Sequence, residues 1–111
     1  MNIYDTANRL AQEIKQSEEY VNYKMAKEAL NMNSELKEKM KEFAQKRYEV
    51  QMEYMQTGNK NEEGEKKIQD LYMELIQNEE AKKYFDAETK FNIVIADVNK
   101  IIGEAIRDVI Q

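Results

Sequence analysis

The sequence predicts an all-α fold of four to five helices, two of them long and antiparallel, forming a bundle completed by self-association. Three observations carry that expectation. The 111 residues hold no proline and only three glycines, and 35% of them are charged, a composition that suits solvated helices rather than strands and turns. Apolar residues recur at steps of three and four, the spacing that keeps side chains on one stripe of a helix. Short polar residues followed by acids recur where such stripes begin, as helix starts require. A 41% hydrophobic fraction, periodic throughout, supplies a core and argues against disorder.

Taken in order, the first helix is expected from Ile3 to Lys15, with Asn2 as its cap and Ala7, Leu10, Ala11 and Ile14 on the inner face. Ser17, followed by Glu18 and Glu19, opens a second helix that reads through Tyr20, Tyr23, Met25, Ala26 and Leu30 and stops between Asn31 and Ser34. Asn33 or Ser34 caps the third, whose stripe is Leu36, Met40, Phe43, Arg47, Val50 and Tyr54. Arg47 on that stripe either lays its aliphatic stem on the core with its guanidinium at the edge, or meets a buried acid such as Glu88. Thr57 to Asn61 is the one clear loop, with Gly58 suited to the left-handed position that ends a helix and Asn61 to capping the next. The fourth helix is expected from Glu62 to Gln77, with Ile68, Leu71, Tyr72, Leu75 and Ile76 inward.

Asn78, Glu79 and Glu80 start the last helix, expected to run to Ile110. Its stripe of Phe91, Ile95, Val98, Ile102, Ala105 and Val109, extended backward by Tyr84 and Glu88, is widened by Val94, Ile101, Ile106 and Ile110, so it should touch more than one neighbour and form the core. The start of the second helix is echoed here: Ser17-Glu-Glu-x-x-x-Tyr23-x-x-Ala26-x-x-x-Leu30-Asn31 returns as Asn78-Glu-Glu-x-x-x-Tyr84-x-x-Ala87-x-x-x-Phe91-Asn92. Either a helical unit is duplicated, or two helices obey the same start rules.

Length argues for more than one copy. Unbroken from Glu79 to Ile110, the last helix would span about 48 Å, whereas a compact chain of this size is roughly 35 Å across. The overhang is apolar and needs a cover, which a second copy supplies most simply. The residues expected at that interface are Phe91, Ile95, Ala96, Val98, Asn99, Ile102, Gly103 and Ile106. Ala96 and Gly103 lie on one edge and would admit a close neighbour. Asn99 either fixes register between paired helices or is simply exposed.

Chemistry is sparse. Without cysteine or histidine there is no thiol nucleophile, no imidazole base and no Glu-x-x-His di-iron motif. Glu18/Glu19, Glu62/Glu63 and Glu79/Glu80 fall at helix starts, where the helix dipole accounts for them. Gly58 and Gly64 do not form a phosphate loop, because no strand precedes them and no Gly-Lys-Ser follows. The seven tyrosines and seven methionines mostly fall at helical spacing, as core and interface filler. No enzyme activity, cofactor or metal is expected. The net charge of −5 disfavours nucleic acid. Its one candidate face, Lys37, Lys39, Lys41, Lys46 and Arg47, is interrupted by Glu35, Glu38, Glu42 and Glu49 and leaves an RNA-associated accessory protein as the alternative reading. No signal peptide or membrane span is expected, which makes the cytoplasm the default location.

Two stretches carry a family likeness: Tyr4-Asp5-x-Ala7-x-x-Leu10-x-x-x-Ile14-x-x-Ser17-Glu18-Glu19-Tyr20, and Ala87-Glu88 with Ile95 and Asn99-Lys100-Ile101-Ile102. In these and in length the chain, expected to be a single domain over residues 1–111, resembles the YlbF/YmcA family of small helical bacterial proteins, and most of all its cysteine-free YheA-like branch. The resemblance implies an all-α cytoplasmic protein that self-associates through long helices and has no catalytic residues. It further implies a regulator of the kind that acts in competence, biofilm formation and sporulation, in a multi-protein complex that modulates mRNA processing by a membrane-bound endoribonuclease. Other YlbF/YmcA-like proteins are the implied partners besides the chain itself. Iron–sulfur clusters in some relatives are held by cysteines, which this chain lacks.

Overall fold

The computed structural model describes residues 2–110. Among them are six helices and no strand: α1 (Ile3–Gln16), α2 (Glu18–Asn31), α3 (Ser34–Thr57), α4 (Glu62–Leu75), α5 (Glu79–Ala105) and α6 (Arg107–Ile110). The all-α fold is therefore as expected, with α6 a four-residue segment that the sequence pattern had joined to its predecessor.

Local chemistry sets the boundaries. The side-chain oxygens of Asn2, Ser17, Asn33, Asn61 and Asn78 each accept from a backbone N–H two or three residues on, at 2.7 to 3.2 Å. Each such cap contributes about 1 kcal/mol. Asn33, not Ser34, caps α3. Gly58 ends α3 with φ 75°, its N–H bonded to Tyr54 O at 2.8 Å, a conformation that costs glycine nothing. Helix α4 stops two residues early, because Gln77 and Asn78 bond back three residues and tighten the chain into a turn before α5. The long last helix passes through Gly103 without interruption and breaks at Ile106, at φ −109° and ψ 8°.

Two antiparallel pairs build the body. In the α3–α4 hairpin, Lys39 reaches Glu74, Phe43 meets Tyr72, and Val50 packs at Gly64. In the second pair α2 runs against α5, with Tyr20 on Phe91 and Tyr23 between Tyr84 and Phe91. The pairs join through the rings of Phe43, Tyr72 and Phe85, whose centroids lie 5.0 to 6.2 Å apart. Leu30, Leu36, Leu75 and Ala81 complete the buried cluster.

This places the core at the opposite end of α5 from the one the sequence pattern favoured. Its buried residues are Ala81 and Phe85. Of the expected stripe, Phe91, Ile95 and Val98 are half-buried, while Ile102, Ala105 and Val109 are exposed. Spacing identifies the face of a helix that is apolar, but coverage depends on where the neighbouring helices end, and the ring contacts of α2 with α5 extend to Phe91. Arg47 takes the edge position: it is exposed, with its guanidinium 5.4 Å from the Phe43 ring centre, and it forms no ion pair with Glu88.

Gly64 has a packing role that its sequence context does not reveal. A Cβ placed there would lie 2.8 Å from Val50 Cγ2 and 2.9 Å from the amide nitrogen of the capping Asn61. Gly64→Ala is therefore expected to lower stability by about 1–2 kcal/mol, the crowding outweighing the gain in helix propensity. Urea denaturation would measure it, and an unchanged or raised midpoint would contradict the close contact.

Candidate functional site: the open half of the last helix

Beyond Phe91, α5 leaves the body. Val94, Ile95, Val98 and Gly103 keep some cover, while Ala96, Asn99, Ile101, Ile102 and Ile106 are exposed. Ile102 is 50% and Ile106 46% accessible, and α6 continues the apolar surface with Val109 and Ile110. The structure thus gathers all eight expected interface residues on one projecting helix and its end. Phe91 forms their boundary with the body through its ring contacts to Tyr20 and Tyr23. A Cβ added to Gly103 would meet nothing within 4 Å, so this glycine has no packing partner inside the subunit.

Polar chemistry near this surface is structural. Tyr23 Oη donates to Glu88 Oε2 at 3.2 Å, and Tyr84 Oη lies 3.5 Å from the same oxygen and 3.4 Å from Tyr23 Oη. Burial, then Tyr84 and Glu88, push the Tyr23 phenol well above the ordinary 10.0, so it remains a donor throughout the neutral range. The folded state holds this proton more tightly than the unfolded chain does. Stability should therefore be fully present below pH 10 and fall as pH rises above it. Tyr23→Phe is expected to cost about 1 kcal/mol at neutral pH and to flatten part of the alkaline decline in melting temperature. Parallel alkaline slopes for the two proteins would exclude this assignment.

The 61-residue echo is realised in space. Tyr23 and Tyr84 meet across the α2–α5 seam, and five more pairs at the same separation, Glu19 with Glu80, Asn22 with Lys83, Met25 with Asp86, Ala26 with Ala87 and Ala29 with Lys90, line an open groove of about 880 Å³ along it. Mixed charge and a small-residue floor give this groove no evident chemistry. The basic face of α3 is partly engaged: Lys39 lies 3.0 Å from Glu74 and 3.9 Å from Glu35, Lys46 lies 3.8 Å from Glu49, and Arg47 lies over Phe43, while Lys37 and Lys41 are exposed. Lys39 is accordingly held above its ordinary pKa by Glu74. No helix of the described residues is long and apolar enough to cross a membrane.

Comparison with known proteins agrees with this architecture. The family model described as "Control of competence regulator ComK, YlbF/YmcA" matches residues 3–107. A UPF0342 protein of Desulfitobacterium hafniense is 36% identical over 110 residues, covering 99% of this chain and 89% of the relative. One from Symbiobacterium thermophilum is 32% identical, covering 94% and 93%, and one from Clostridium novyi is 31% identical, covering 97% and 95%. A match across nearly all of the helical chain, spanning the residues that build its seams, means that the protein belongs to the YlbF/YmcA family.

Proposed function

We propose that this protein is a non-enzymatic, self-associating adaptor of the YlbF/YmcA type, acting in the cytoplasm by contact through the distal half of α5. The observation that carries the reading is how open the subunit is. Its radius of gyration is 17.8 Å, against about 13 Å for a compact chain of this length. Its accessible surface is 9113 Å², about 2,700 Å² more than a compact 13.2 kDa protein presents. Obligate dimers bury about 2,000–5,000 Å² or more summed over both partners, or about 1,000–2,500 Å² per subunit, so the excess on each subunit is large enough to supply such an interface. Phe91, Ile95, Ala96, Val98, Asn99, Ile102, Gly103 and Ile106 form the proposed contact surface, with Gly103 as the point of closest approach.

The family description points to control of competence, and the proposed role is that of a regulator assembling with itself and with other YlbF/YmcA-like proteins. Sedimentation equilibrium at micromolar concentration tests the self-association: a dimer or larger species is expected, and a monomer would overturn it. Mixing with YlbF/YmcA proteins of the same bacterium, followed by the same measurement, tests the wider assembly.

A further inference from the structure

We propose that α1 crosses to a second copy and packs its apolar face on that copy's distal α5, reciprocally, so that each subunit covers the other's open helix. This rests on the self-association just described and specifies what covers the surface.

Helix α1 is only partly packed. Ile3, Ala7, Leu10 and Ile14 form one stripe, with Tyr4 and Ala11 beside it; Leu10 and Ile14 are half-buried, none of its residues is fully buried, and Ile3 and Tyr4 are 77% and 72% exposed. A lone helix of 14 residues is marginal in water, and its stability comes from burying its apolar face. The distal part of α5 has the complementary deficit over the same span: from Asn92 to Ala105 it too has 14 residues, so each face is about 21 Å long. Both stripes are free of charge, since Asp5 and Arg9 lie away from the α1 stripe and Asp97, Lys100 and Glu104 away from that of α5.

Ser17 sets how α1 leaves α2. It is extended at φ −67° and ψ 150°, and its hydroxyl is tied on both sides, donating to Ile14 O at 2.6 Å and accepting from Tyr20 N at 3.2 Å. The corner thus fixes the exit direction of α1 from α2. Among the described residues no hydrogen bond, ion pair or ring contact joins α1 to α5. Reciprocal exchange removes both open faces at once, and it draws on the same excess surface that a compact monomer would not have.

The double variant Ile3→Asp/Tyr4→Asp tests the exchange, because both side chains lie outside the subunit's own core and helicity by circular dichroism should hold. Sedimentation is expected to show the dimer dissociation constant raised at least ~10-fold, because two apolar side chains no longer bury against the partner. If Ile102→Asp dissociates the dimer while the double variant leaves the constant unchanged, the exchange is overturned and the α5 interface stands. If neither variant changes it, both readings fall. The cysteine-free chain allows a second measurement. Untagged Tyr4→Cys mixed with tagged Ile102→Cys and a short bis-maleimide should give a covalent band of mixed size. Only intramolecular closure in the Tyr4→Cys/Ile102→Cys double variant would overturn the exchange.

Discussion

Ile102→Asp is expected to separate the subunits without unfolding them, raising the dissociation constant by at least ~100-fold, the effect of stranding a charge in an apolar contact. The argument turns on location. Ile102 is half exposed within its own subunit and lies more than two helical turns beyond Phe91, whose ring meets Tyr20 of α2. Aspartate there meets water in the monomer and costs the isolated fold only helix propensity, a fraction of a kcal/mol. In the associated state it would sit at the middle of the proposed surface. Sedimentation combined with circular dichroism separates the two effects: retained helicity with a smaller particle is expected. An unaltered particle size would remove this residue from any interface.

Phe85→Ala should do the opposite, destroying the subunit itself. The ring stands 5.0 Å from Tyr72, 5.6 Å from Phe43 and 5.8 Å from Tyr84, so it is the piece that joins the α3–α4 hairpin to the α2–α5 pair. It is 8% exposed. Truncating a buried phenylalanine costs about 3–5 kcal/mol, which for a domain of this size corresponds to a loss of roughly 15 °C or more in melting temperature. Thermal melts followed by circular dichroism would measure it, and a change of only a few degrees would show that the two halves hold together by other means.

These two substitutions lie on one helix, and the sequence alone ranks them the wrong way round. Its apolar density rises toward the C-terminus, so Ile95 and Ile102 look more deeply placed than Ala81 and Phe85. What was legible is local. Ser17, Asn33, Asn61 and Asn78 act as caps because their short side chains reach their own backbone, and Gly58 is required by its φ; neither depends on the rest of the fold. The α3 stripe was legible as well, since Leu36, Phe43 and Val50 face α4 along the length of a hairpin. Burial along α5 was not, because it is set by where α2 stops covering it, which the residues of α5 do not encode. Gly64 was missed for a related reason: its crowding comes from Val50, a contact made only when α3 and α4 come together. The candidate surface was expected as a patch on one helix, and what the structure adds is its exposure within the subunit.

The seam between Tyr23 and Tyr84 closes over a separation of 61 positions, and that has a consequence for synthesis. A ribosome releases α2 long before the strip that will cover its aromatic face exists. The intervening α3–α4 hairpin, joined by a short turn, can fold first and shorten the loop still to be closed. The projecting end of α5 emerges after α1 to α4, so the surface proposed to meet a second copy is complete only once the helices of the body have been made.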